Sequence, residues 1–314
     1  MNIQQLEYVI AVDNFRHFAR AAEVCFVTQP TLSMMIQKLE DELAVKIFDR
    51  TKHPVEPTAI GKQIIEQAHI SLRHFKQIKE IVENEQNIVT GSFKLGIIPT
   101  IASYLVPVLL QKHHADNNEI ELTLKETTTH NMINDILKGT LNGGILAGPL
   151  HHPELSEYPL YYEKFYAYVS PQDASYQEKE IDLDKIDITD VWLLENEHCL
   201  RGQIERLCQL KKKSTTDDTS FVRYESGSID TLINVVDYNP GITIIPEMHA
   251  MGLSEEKQEN LRPFKNMMAV REVSLVVSNE YVRKTMLNKI LDIIKDSVPK
   301  SMQNPELKAY VVDL

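Results

Sequence analysis

The sequence predicts an α plus α/β chain in which a small winged helix-turn-helix module leads through one long helix into an α/β domain. Three observations carry that prediction. Residues 1–57 place apolar side chains at helical spacing in segments broken at short intervals. From Thr58 to about Val89 a single apolar stripe runs without a proline. Beyond Thr90-Gly91 the period changes to strands alternating with helices. A length of 314 residues fits about two domains, each large enough to bury its own core.

Within the first part, Leu6, Val9, Ile10, Phe15 and Phe18 mark the buried face of an opening helix. Phe18-Ala19-Arg20-Ala21-Ala22 starts a second. A third opens at Thr28-Gln29-Pro30, where Thr28 is placed to cap and Pro30 falls in the first turn, and it runs through Leu32, Met35, Ile36, Leu39 and Leu43. Pro54 and Pro57 end the helical pattern and suit a short exposed hairpin.

The long stripe recurs every three or four residues, at Ile60, Ile64, Ala68, Leu72, Phe75, Ile78 and Val82. Such a helix either packs on its own domain or pairs with a second copy; its length and its place between two composition zones favour a dimerising linker. Strand-like segments follow at Phe93–Ile98, Ile120–Glu126, Gly144–Ala147, Phe165–Ser170, Gly241–Ile245 and Val273–Ser278, with a helix near Tyr104–His114. The alternation predicts mainly parallel sheets with sites at strand ends. The divisions drawn are 1–57, 58–89 and 90–314.

The chain has no run of about 18 apolar residues and no signal-like start, which predicts a cytoplasmic protein without a membrane partner. A net charge of −12 argues against a broad nucleic-acid surface, but the charge is uneven. Residues 1–90 hold 10 Lys+Arg and 12 Asp+Glu, against 23 and 33 in the remainder, and Lys46–Lys79 is locally basic. A small basic module on an acidic domain is the arrangement implied. Three cysteines cannot form a secreted disulfide framework, so any disulfide here is transient chemistry.

Taken together, Ala21-Ala22, Thr28-Gln29-Pro30-Thr31-Leu32-Ser33, Leu39-Glu40, Leu43, Phe48-Asp49-Arg50, Thr58 and Gly61 resemble the DNA-binding module of LysR-type transcription regulators. The resemblance continues through Gly96, Pro99-Thr100, Gly139-Thr-Leu-Asn142 and Pro240-Gly-Ile-Thr-Ile-Ile-Pro246, and so spans nearly the whole chain. Ala44 stands where that family usually has glycine, and Asn142 where it usually has aspartate. The resemblance implies a two-lobed regulatory domain similar to periplasmic binding proteins, a homo-oligomer (dimer or tetramer), double-stranded DNA and RNA polymerase as partners, and no cofactor or enzyme activity. Gln29, Pro30, Thr31 and Ser33 would open a helix lying in the major groove, Lys38 would reach phosphate, and Arg50 and Lys52 would belong to the wing.

A narrower likeness lies in Glu197-His198-Cys199-Leu200-Arg201 followed by Cys208, which is similar to the reacting and resolving cysteines of the peroxide-sensing members of the family. Thr100, Thr129 and His198 match the positions that hold peroxide there, and Arg271 is assigned by its strand context. This implies that hydrogen peroxide oxidises Cys199, which then forms a disulfide with Cys208. From the residues alone, His198, Arg201 and Arg206 supply the positive charge and donors that favour a reactive thiolate. Oxidation to a sulfenic acid leads to a disulfide where a second thiol can reach. Cys25, among Ala22, Val24 and Phe26, suits packing.

Other readings remain open at this level. His198, Cys199 and Cys208 are competent metal ligands, though no compact Cys-x2-Cys or His-x3-His element completes a site, so no metal is assigned. A small metabolite bound between the lobes would leave the cysteines incidental. A thiol peroxidase would need a reductant and an open site.

Overall fold

The structure is a computed structural model, and it describes residues 1–115, 119–186, 191–195, 199–207, 224, 226–265 and 268–312. The chain divides into two compact units, residues 1–88 with 137–140, and 89–136 with 141–314.

The first unit opens with α1 (Ile3–Phe15), α2 (Phe18–Val24) and α3 (Gln29–Leu43). Each starts on a side-chain cap: Asn2 forms a capping box with Gln5, His17 accepts from the Arg20 amide, and Thr28 from that of Thr31. The predicted face of α1 is rotated. Gln5, Tyr8, Val9, Ala11 and Val12 are buried, Leu6 and Ile10 are half-buried, and Phe15 is exposed, because α1 ends there and Phe18 belongs to α2. A core of Val9, Val12, Ala21, Leu32, Ile36 and Leu39 holds the three helices together.

Helix α3 stops at Ala44, which takes the left-handed conformation with φ 54°. Glycine adopts that cap freely and alanine does so under strain, which explains why Ala44 is unusual at this position. The predicted hairpin is present as β1 (Phe48–Asp49) against β2 (Glu56–Pro57), in register Phe48 to Pro57. Glu40 ties it to α3: its fully buried carboxylate accepts from the Ile47 and Phe48 amides at 2.8 and 3.2 Å. Helix α4 (Ala59–Glu85) then begins at a Thr58 cap. A Cβ at Gly61 would lie 2.0 Å from the Ile47 carbonyl oxygen, so this close approach requires glycine.

Among the described residues the second unit carries seven strands: β3 (Gly91–Ile97), β4 (Ile120–Glu126), β5 (Gly143–Gly148), β6 (Leu155–Val169), β7 (Ile242–Pro246), β8 (Leu261–Arg262) and β9 (Val270–Ser278). Their order is β4-β3-β5-β9-β6-β7, with β8 also on β6. Among the pairs of these described strands, β3–β4 and β3–β5 are parallel, while β5–β9, β9–β6, β6–β7 and β6–β8 are antiparallel. The expectation of mainly parallel sheets is thus corrected. Strand β6 is the reason, since residues 155–164 run along β9, with a register shift at Leu160, and its last five residues pair with β7, so one continuous strand serves two lobes.

On the first lobe lie α5 (Pro99–Ala115) and α6 (Thr129–Leu137). The second lobe carries α7 (Cys199–Leu207), α8 (Ile229–Tyr238), α9 (Glu247–Met251) and α10 (Glu255–Gln258), packed around Tyr168, Leu194, Leu200, Ile204, Ile233 and Ile244. Helix α11 (Lys284–Asp296) and the short turns at Lys300–Gln303 and Pro305–Tyr310 complete the unit.

Candidate functional site

Strands β3 and β4 run parallel with Ile97 beside Glu126, so the chain twice leaves the sheet at one edge and twice enters a helix there. Thr100 falls in the first turn of α5, and Thr129 is the first residue of α6. Cys199 in turn is the first residue of α7, and its Sγ lies 3.0 Å from Thr129 Oγ1. The sulfur therefore stands where two helices begin.

Of the other predicted site residues, Thr100 and Arg271 are joined to each other. Arg271 Nη1 donates to Thr100 Oγ1 at 3.3 Å and Nη2 to the Thr100 carbonyl at 3.1 Å. Arg271 is fully buried on β9, with its Nε donating at 2.7 Å to the equally buried Glu163 on β6. Burial works against this cation, but the nearby Glu163, Tyr104 and Tyr161 outweigh it and raise its pKa. Tyr104 and Tyr161 are themselves pushed upward, first by burial and then by their charged and phenolic neighbours. His198 and Cys208 lie outside the described residues. Arg201, expected to support the thiol, is engaged by Glu205 and by the Leu194 carbonyl, both at 3.0 Å, while Arg206 sits in the last turn of α7.

Sequence reasoning missed Gln203. It is fully buried one helical turn beyond Cys199, and neither polar atom of its amide has a partner among the described residues. The i, i+4 spacing from the cysteine was a legible signal for it. It also missed Glu163 and Tyr104, whose pairing with Arg271 spans more than a hundred residues of sequence. Cys25 is half-buried against the helical core, and burial followed by Glu7 raises its pKa.

In the first unit, α3 buries Leu32, Ile36 and Leu39, leaves Gln29 exposed at its first residue, and exposes Pro30, Thr31 and Lys38 on its opposite side. Met34, 64% exposed, shares that side and was not anticipated. Ser33 is half-buried and accepts from Arg50 Nη1 at 2.9 Å. Arg50 also reaches Glu40 at 3.3 Å and lies over the Phe18 ring, so it braces the hairpin against α3. Lys52 is exposed and pairs with Glu56. Such a helix, open along one side and braced behind, can enter a DNA groove.

A cavity of about 120 Å³ lies in the second unit, lined by Thr100, Ser103, Glu126, Ser228, Asp230 and His249 among others. His249 Nε2 is 3.1 Å from Asp230 Oδ1, and burial, opposed by Asp230, lowers its pKa. Among the described residues no group of three or more His, Cys, Asp or Glu is placed to hold a metal ion, and no helix is long and apolar enough to cross a membrane.

Residues 3–62 match the family profile described as a bacterial regulatory helix-turn-helix protein of the lysR family, and residues 86–299 the LysR substrate binding domain. The chain is 31% identical to the hydrogen peroxide-inducible genes activator of Haemophilus influenzae, over 95% of this chain and 97% of that protein. It is 34% identical to the DNA-binding transcriptional dual regulator OxyR of Escherichia coli, over 79% of this chain and 80% of that one. The solved structure of a full-length OxyR variant from Pseudomonas aeruginosa superposes with a TM-score of 0.77 at 29% identity, covering 94% of this chain and 98% of the other. A capped and braced third helix, a two-lobed domain with a thiol at the start of two helices, and these matches agree: the chain belongs to the LysR family of helix-turn-helix regulators, among its OxyR-like members.

Proposed function

We propose that this chain is a DNA-binding transcription regulator that reads hydrogen peroxide through Cys199 and Cys208. The observation that carries the reading is the Cys199 sulfur at the N-termini of α6 and α7, in hydrogen-bond contact with Thr129. In the first step the Cys199 thiolate attacks one peroxide oxygen: an S–O bond forms, the O–O bond breaks, and the departing hydroxide takes a proton to leave as water. Sulfur is oxidised to the sulfenic acid and peroxide is reduced. In the second, the Cys208 sulfur attacks the Cys199 sulfur; an S–S bond forms, the S–O bond breaks, and a second water leaves.

Helix geometry then links the chemistry to shape. Residues 199–207 are helical, which sets residue 207 about 12 Å along the axis from Cys199. The next Cα is at most about 3.8 Å further away or nearer, so residue 208 stays about 8 Å or more from Cys199 while the helix persists. A disulfide spans at most about 7 Å between Cα atoms. Closing the bond therefore opens α7 and displaces Leu200, Ile204 and Leu207, all buried in the second lobe. Repacking of that lobe changes how regulatory domains pair and, through α4 and oligomer symmetry, the spacing of the DNA-binding modules. Gln29, Pro30, Thr31 and Ser33 read base edges in this scheme, with Lys38 and Lys52 on phosphate and Arg50 bracing the wing.

A second reading is favoured by the cavity at Thr100 and His249, which would take a small metabolite. Footprinting of the full chain on its DNA with and without peroxide separates the two. The peroxide reading expects a changed footprint that Cys199→Ser abolishes; a footprint indifferent to peroxide overturns it.

A further inference from the structure

We propose that Glu163 is a positioning residue for the reaction of Cys199 with peroxide, acting through Arg271 and Tyr104 to aim the Thr100 hydroxyl; the inference rests on the peroxide reading above. The hydrogen-bond directions leave little choice. A guanidinium only donates, so Thr100 Oγ1 accepts from Arg271 Nη1, and the remaining capacity of that hydroxyl includes its own proton, turned away from the cation. Nη2 of the same guanidinium holds the Thr100 carbonyl and so fixes the first turn of α5. Thr100 is thereby presented as a donor. A donor is what the departing peroxide oxygen needs as the O–O bond breaks and negative charge gathers on it.

Glu163 in turn sets the guanidinium. Its Oε1 accepts from Arg271 Nε at 2.7 Å and from the Tyr104 hydroxyl at 2.8 Å, and its Oε2 accepts from the Met248 amide at 3.0 Å. Tyr104 gives its one proton to Glu163, accepts from Arg271 Nη2 at 2.9 Å, and therefore receives the proton of Tyr161, 3.1 Å away. Every direction along this chain follows from the donors gathered on one carboxylate. The groups come from α5, β6, β9 and α9, so the carboxylate also joins the two lobes behind the reacting edge. A buried ion pair of this kind is weak evidence for stability, since apolar replacement is often neutral, and a specifying role is the better-attested reason to keep one.

The test compares two reactions of the same thiol in the reduced full chain. Peroxide needs a donor for its departing oxygen; iodoacetamide, which alkylates Cys199 with loss of iodide, does not. Rates are read as loss of the Cys199 thiol by quenched mass spectrometry, in wild type, Glu163→Gln and Tyr104→Phe. Tyr104→Phe keeps the ring in place and removes only the hydroxyl, so it serves where Glu163→Gln fails to fold. The expected result is a peroxide rate lower by about tenfold in Tyr104→Phe and about a hundredfold in Glu163→Gln, with alkylation changed less than about twofold. Equal loss in both reactions, or a folded Tyr104→Phe with an unchanged peroxide rate, overturns the assignment while leaving peroxide sensing intact. A wild-type thiol that reacts with peroxide no faster than free cysteine overturns both.

Discussion

Three side chains around α7 and α3 carry opposite kinds of burden. Thr129 meets the Cys199 sulfur at 3.0 Å, and an isosteric Thr129→Val removes that contact without removing volume. A typical hydrogen bond contributes about 0.5 to 1.5 kcal/mol net, so this variant should oxidise about two- to tenfold more slowly in stopped-flow peroxide titration. Gln203 works the other way. Its buried amide has no partner among the described residues, a cost of about 1 to 3 kcal/mol that the folded reduced helix carries. Gln203→Leu should raise the denaturant midpoint of the reduced protein and slow disulfide closure relative to sulfenic acid formation; a lower midpoint would show that the amide is satisfied in solution. Glu40 is the reverse case, a buried carboxylate with amide, lysine and arginine partners, and Glu40→Ala should cost the first unit about 3 kcal/mol in chemical denaturation.

At the scale of elements, local chemistry made α3, the hairpin and α4 legible before any coordinates. Thr28 as cap, Pro30 in the first turn, paired prolines in the hairpin and an unbroken stripe each dictate their own geometry. The rotated face of α1 was not legible, because Phe15 and Phe18 continue the period across a helix end. Nor was the course of β6, since a strand that changes partners midway leaves no mark on its own alternation. Cys199 and Thr129 stood out singly, but Glu163 and Tyr104 become visible only when four distant elements are assembled. The stripe of α4 makes a further prediction: its Ile60, Phe75, Ile78 and Val82 are 43–64% exposed in the single chain. Leu72→Glu with Phe75→Glu should weaken self-association and DNA binding together, read by sedimentation and gel shift, because a charge cannot be buried unpaired in a helix pair. An unchanged assembly would remove the linker from the oligomer interface.

Across the whole molecule, the proposed action of peroxide and the effect of pH fall on the second unit at separate groups. His249 is buried and its pKa is lowered, so the folded state takes up fewer protons than the unfolded chain. Stability from this group is present above about pH 6.5, its unfolded value, and is lost as pH falls through the lower folded value. His249→Asn should flatten that acid slope in denaturation midpoints measured against pH. In the proposed scheme peroxide would act instead on α7, whose helical state and a Cys199–Cys208 disulfide exclude each other by distance. Hydrogen exchange across residues 200–207, followed together with disulfide mapping after one equivalent of peroxide, tests that exclusion most directly. The result expected is a Cys199–Cys208 bond, a free Cys25 and amides of 200–207 that lose protection and regain it on thiol reduction. A mapped Cys199–Cys208 bond with protection across 200–207 unchanged would contradict it.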